Sequence, residues 1–280
     1  MTDLELARIV ERAETRMWSD MVRNVSPEVA AALGLRAVPI GGGLALIASG
    51  VPSVLYNRAF GFGLDEPVDE ATIDRMIALY RRDVPFSIQP CPLARPAEID
   101  GWLDTRGLPS HFPWVRWVRG ADVPPAAATD LVIERVGPDS ARMVTDLAFT
   151  IFTGEPTQVG PWFQLTVGSQ GWSHYVARDR GQPVGLSALY AVGGVGWLGW
   201  GGMLESHRGR GGQSAMIARR IRDGVEQGCH WFTVETADDR PEKPNPSFRN
   251  MARSGFSLLF RRSSHAHFPA KQDGASNTGE

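Results

Sequence analysis

The ten residues Glu205-Ser-His-Arg-Gly-Arg-Gly-Gly-Gln-Ser214 have the composition needed to hold a phosphate group. Arg208 and Arg210 supply fixed positive charge, and Gly209, Gly211 and Gly212 let the backbone turn tightly and approach a ligand. A helical pattern starts at about Gln213, and Ser214 lies in it. The unpaired N–H groups of a helix start then face the same place and favour an anion there. The chemistry this predicts is a pyrophosphate cradled by backbone N–H groups with arginine beside it.

The elements that position the loop are legible on both sides. Gly196–Leu204 is an apolar run that reads as a strand. Residues 214–227 place Ile217, Ile221 and Val225 at steps of four, with Arg219, Arg220 and Arg222 on other faces, which predicts an amphipathic helix ended by Gly228. His230–Thr236 is aromatic and β-branched and predicts a strand. A proline-rich loop from Arg240 leads to a short helix over Ser247–Ser254, and Gly255-Phe256 opens a strand through Phe260.

This order resembles the GNAT superfamily of acyl-CoA N-acyltransferases, over about residues 131–262. The superfamily loop reads R/Q-x-x-G-x-G/A. Arg208 and Gly211 match its first and fourth positions, and Gln213 departs from the sixth. Asn245 and Gly255-Phe256 fill the places of the Asn and Gly-Phe near the superfamily's end. The resemblance implies an acetyl-CoA donor, no metal, and a strand that splays from its neighbour so that Met203 and Leu204 pair with pantetheine. It also puts Asn245 and Ser247 on the CoA side, where both are equally good cap and turn residues. Transfer needs an amine freed of its proton. Glu235, near the end of the strand facing the splay, is the first candidate base, and its alternative is a structural pairing with arginine. Glu205, His174 and His111 come after it. The superfamily's frequent acid, a Tyr four residues before the Gly of Gly-Phe, is Met251 here, leaving Tyr190, Tyr175, water or an unaided thiolate.

The first half repeats the plan without the charge. Val54-Leu-Tyr-Asn-Arg-Ala-Phe-Gly-Phe-Gly precedes a helix, a strand, a proline loop, a helix, a Gly and a strand at Trp114–Val118. The fold class expected is therefore α/β with mixed sheets, in two GNAT-like domains of which the first is degenerate. The boundaries expected are 1–120, a linker at 121–130, an acyl-CoA-binding domain at 131–264 and a disordered tail at 265–280. Asp65, Glu66, Asp69 and Glu70 replace the cationic loop, so one acyl-CoA per chain is expected. Tyr56 and Asn57 of the first half, with Trp162 and Phe163, are the candidate acceptor contacts.

Composition narrows the partners. A net charge of −2 offers no field for nucleic acid. No apolar run reaches membrane-spanning length, and the N-terminus lacks a signal-peptide pattern. Cys91 and Cys229 lack metal-ligand spacing and read as buried free thiols of a reducing cytoplasm. The expectation is a cytoplasmic monomer or homodimer, with no nucleic-acid or membrane partner, acetylating a small-molecule amine. The alternative is a non-catalytic acyl-CoA-binding or sensing module.

Overall fold

Helix α1 (Asp3–Arg23) starts at a reciprocal cap, in which the Thr2 hydroxyl accepts from the Glu5 N–H and the Glu5 carboxylate accepts from the Thr2 N–H. A shorter helix, α2 (Pro27–Leu33), begins on Ser26 with Pro27 in its first turn and stops at Gly34, whose φ is +60°. These details belong to a computed structural model that describes residues 1–154 and 157–269. Strands β1 (Leu35–Ile40), β2 (Gly43–Ala48) and β3 (Arg58–Phe60) then pair antiparallel in order. Helix α3 (Glu70–Ala78) crosses over to β4 (Phe86–Gln89), which lies parallel to β3. Helix α4 (Ile99–Thr105) and strand β5 (Trp114–Gly120) follow.

The second half is larger. Strand β6 (Val132–Val136), helices α5 (Ala141–Phe152) and α6 (Gly160–Gln164), and the long strands β7 (Trp172–Asp179), β8 (Gln182–Val192) and β9 (Val195–Met203) form an antiparallel series. Helix α7 (Gly212–Glu226) crosses over to β10 (Trp231–Ala237), parallel to β9. Helix α8 (Pro246–Arg253) and strands β11 (Ser257–Arg262) and β12 (His265–His267) complete the described chain. Among the described residues no helix is long and apolar enough to cross a membrane.

The strands sort into two mixed sheets, and they do not divide at the linker. One sheet runs β1-β2-β3-β4-β12, and the other runs β11-β5-β10-β9-β8-β7-β6. Strand β5, expected to close the first domain at residue 120, instead lies antiparallel between β10 and β11. In return β12, from the stretch expected to be a disordered tail, pairs with the edge of β4. Each half thus completes the other's sheet, which corrects both the 1–120 boundary and the 265–280 tail. Residues 270–280 of that expected tail lie outside the described residues.

Where the halves meet, three carboxylates face three guanidiniums out of water. Arg58 of β3 reaches Glu14 of α1 at 3.0 Å and Glu235 of β10 at 3.0 Å. Arg116 of β5 holds Glu235 at 3.0 Å and also contacts Glu14. Arg262 of β11 binds Glu11 at 2.9 Å and Glu14 at 3.3 Å, and contacts Glu235. All six are at most one-tenth exposed. Their charges cancel, which is what makes their joint burial tolerable.

Candidate active site

Strands β9 and β10 pair for four residues only, from Trp231↔Val195 to Val234↔Leu198. Beyond Leu198 they part, and Glu235–Ala237 pair with β5 alone. On its other side β9 stays with β8, but the register shifts between Leu186 and Ala188. Trp200 accommodates this bulge at φ +47°, and Gly201 and Gly202 follow without side chains. The wedge between β9 and β10 is the splay that the sequence resemblance implied.

The wedge opens onto the glycine loop. After Met203 a 3-10 turn (Glu205–His207) leads to Gly209 and Gly211, at φ +78° and +75°, and α7 begins at Gly212. A Cβ on Gly211 would lie 2.0 Å from the Ala128 carbonyl oxygen, so glycine is required there twice over. Among the described residues no side chain caps α7, and its first N–H groups remain available to a ligand. A cleft of about 640 Å³ runs from Gly201, Gly202 and Met203 past Arg208, Gly209 and Gly211–Ser214 to Pro246, Ser247, Asn250 and Arg253 of α8. A second cleft of about 390 Å³ adjoins it at Gly211 and Ser214, walled by Pro124–Ala128 of the linker.

Most of the predicted cofactor residues therefore gather at one place: Met203, Arg208, Gly209, Gly211, Gly212, Gln213, Ser214 and Ser247. Arg208 is well exposed, with only a 3.9 Å contact to Glu205. Three predicted residues do otherwise. Arg210 is taken up by Asp130 and by Asp179 at 2.8 Å, so it fastens the loop to the linker and β7. Leu204 packs into the apolar layers below the loop. Asn245 caps α8, accepting from the Ser247 N–H at 3.0 Å and donating to the Ala237 carbonyl at 2.6 Å. Gln213 reaches across to α8, donating to the Ser247 hydroxyl at 3.2 Å and accepting from the Asn250 amide. Asn250 and Arg253 were missed, although they repeat the spacing of Ser247 at steps of three along α8. Ile151 and Phe152, which wall the cleft from the end of α5, carried no such signal.

For Glu235 the geometry matches the second of its two expected roles, a structural pairing with arginine. Burial alone would raise the Glu235 carboxyl, but Arg262, Arg116 and Arg58 outweigh it and hold it well below the usual carboxylate range. A carboxylate held that firmly does not take up a proton near neutrality. Glu205, the next candidate, is largely exposed 3.9 Å from Arg208 and does not line the cleft, while His174 and the two tyrosines are engaged elsewhere. His174 is 1% exposed, contacts Thr166 at 3.1 Å, and is pushed down to about 4 by burial. Tyr175 donates to Asp223 at 2.9 Å and Tyr190 to Asp20. His111 is exposed beside Phe268 and does not line the cleft, and Met251 is a core residue, 3% exposed. His207 does line the cleft, yet one ring nitrogen meets Ser206 at 2.8 Å and the other Asp179 at 3.3 Å.

The acceptor contacts fare no better. Asn57 is 1% exposed, accepting from the Ala48 N–H and donating to the Val51 and Ser53 carbonyls, so it ties its own loop. Trp162 is 1% exposed and donates to the Met21 carbonyl at 3.0 Å. Phe163 packs edge-on against Trp200 below the bulge. Tyr56 packs against Trp18 and Trp162 and does not reach the cleft. In the first half, Asp65 pairs with Arg12 at 2.8 Å and Asp69 caps α3, so the acidic loop is tied down without a ligand.

No protein-family model and no curated protein sequence matches the chain. Solved structures do. A GCN5-related N-acetyltransferase from Kribbella flavida superposes with a TM-score of 0.64 at 16% identity, over 92% of this chain and 96% of that one. Another from Sphaerobacter thermophilus gives 0.54 at 19% identity, over 70% and 64%. A conserved protein of unknown function from Staphylococcus epidermidis gives 0.55 at 11% identity, over 85% and 96%. The fold is that of the GCN5-related N-acetyltransferases. Within the GNAT fold the splay, the glycine loop and α7 occupy one continuous cleft, and the first of these likenesses extends across both sheets.

Proposed function

We propose that the chain is an acyl-CoA-dependent N-acyltransferase that binds one acetyl-CoA in its second half and acetylates a small amine. The observation that carries this reading is the cleft itself. It joins an uncapped helix start and the exposed Arg208, suited to a pyrophosphate, to a wedge between β9 and β10 suited to an extended pantetheine arm. Gln213, Ser214 and Ser247 line the stretch between.

In the reaction the amine nitrogen attacks the thioester carbonyl carbon, and the carbonyl π pair moves onto oxygen. As that pair returns, the C–S bond breaks and the sulfur leaves as a thiolate. The proton shed by the nitrogen passes to solvent, and solvent returns one to the thiolate. No carboxylate is found among the described residues lining the cleft, and both nitrogens of His207 are engaged. The amine must then arrive already neutral. An alkyl amine with a pKa of about 10.4 is mostly protonated at pH 7, so turnover rises about tenfold per pH unit up to that value.

The lack of a carboxylate among the described residues lining the cleft also favours a second reading, a module that binds acyl-CoA without turning it over. The two are separated by following thiol release from acetyl-CoA against a panel of amines between pH 7 and 9. Amine-dependent release with the expected rise supports the enzyme. Calorimetric binding of acetyl-CoA with no release by any amine supports the module.

A further inference from the structure

Helix α7 buries a charge that no carboxylate among the described residues pairs with. Arg220, expected from helical spacing to lie away from the core face, is 3% exposed. Among the described residues no carboxylate lies within ion-pair distance of it, and burial pushes its pKa down only to about 10. An unpaired buried ion is strongly disfavoured unless something compensates it. Its hydrogen bonds show where it acts. Nε donates to the Met216 carbonyl at 3.2 Å within the helix, and Nη1 donates to the carbonyls of Ala188 at 3.1 Å and Gly199 at 3.3 Å. The last two lie at the β8–β9 register shift, beside Trp200 with its positive φ. Nη2 lies 3.4 Å from where a Cβ of Gly201 would stand, and Gly201 lines the cleft.

In a trans peptide the carbonyl and the N–H point in opposite directions. Drawing the Gly199 carbonyl onto Arg220 therefore turns the Trp200 N–H away from α7. A cation on that carbonyl also polarises the peptide and strengthens its N–H as a donor. We propose that Arg220 is a positioning residue for acyl transfer. Through the Gly199–Trp200 peptide it aims and polarises the β9 bulge, so that the bulge meets the negative charge forming on the thioester oxygen. The proposal rests on the acyl-CoA reading above. It also gives the buried cation a counter-charge, one that exists while the reaction proceeds. With Met251 where an acid was expected, such stabilisation matters more.

The test needs no acceptor. Acetyl-CoA labelled with ¹³C at the carbonyl is bound to the full chain, and its carbonyl stretch is read by isotope-edited infrared difference spectroscopy. Calorimetry on the same samples reads affinity. In the wild type the stretch moves to lower frequency on binding. Arg220→Gln keeps donors for the carbonyls but removes the charge, and should lose most of that shift. Arg220→Lys keeps the charge and should retain more of it than the Gln variant. Both should bind acetyl-CoA within about threefold of wild type, because the phosphate cradle is untouched. A purely structural Arg220 would change the melting temperature and leave the carbonyl frequency alone. A full shift in Arg220→Gln, or none in the wild type, overturns the proposal. Acetyl-CoA that does not bind the wild type by calorimetry overturns the acyl-CoA reading itself.

Discussion

Glu235 keeps its charge because Arg58, Arg116 and Arg262 surround it, and this decides what replacing it does. Glu235→Gln leaves three buried guanidiniums short of a carboxylate, at a cost of about 3–5 kcal/mol, to be read by chemical denaturation. The folded pKa lies below the unfolded value of about 4.3, so this stability is complete above that pH and is lost as pH falls below it. The Gln variant should lack that acid limb. Its transfer rate below the melting temperature should stay near wild type, whereas a catalytic base would cost roughly a hundredfold or more. His174 titrates in a higher window. Buried neutral, it falls from an ordinary 6.5 to about 4, so stability is lost as pH drops through that interval, by about 3 kcal/mol in all. His174→Phe should remove that slope in thermal melts between pH 6.5 and 4. Arg208→Ala should weaken CoA binding about ten- to a hundredfold in calorimetry, the worth of one charge-assisted hydrogen bond. Arg208 and Gly211 were readable from the chain because the strand, loop and helix start around them are contiguous in sequence. For Glu235 the pairing with arginine was readable only as one of two roles, because two of its three partners come from elements before the linker.

At the scale of elements, most of the helices and strands were legible where the apolar period was clear. The helix from Gly212, the strand at Trp231–Ala237 and the short helix before Gly255-Phe256 stand within a residue or two of expectation. Helix α2 was overlooked although Ser26-Pro27 and Gly34 mark both of its ends. Strand β1 was overlooked because Arg36 and Pro39 interrupt its apolar run, which an outer strand tolerates. The stretch Val51–Tyr56, apolar enough to suggest a strand, is a turn held by Asn57. Gln213 shows what element-level reading misses. Its side chain ties α7 to α8 through Ser247 and Asn250. Gln213→Ala should remove two neutral hydrogen bonds worth about 1 kcal/mol each. Amide exchange over Pro246–Arg253 should quicken, while the first turn of α7 stays protected.

At the scale of the whole molecule, the exchange of β5 and β12 makes the halves mutually dependent. Cutting the linker within Ala126–Ala128 should leave both pieces bound together through gel filtration, because β5 remains seated between β10 and β11. A chain begun at Asp130 should fail to fold. It would lose the strand joining β10 to β11, and with it Arg116, Arg58 and both α1 carboxylates. The exchange was illegible in the sequence because Trp114–Gly120 has the pattern of a buried strand in either sheet. Its place is set by register against β10 and β11, which lie more than a hundred residues downstream.

The same exchange puts a delay into synthesis. When β4 leaves the ribosome its outer edge has no partner, and β12 follows only about 175 residues later. At ordinary elongation rates that is roughly ten to thirty seconds. During that interval Phe86 and Ile88 stand on an open strand edge, the kind of surface that recruits other strands. The nascent first half is therefore a natural client for a chaperone, and it becomes independent of one only when its last strand arrives from the other half.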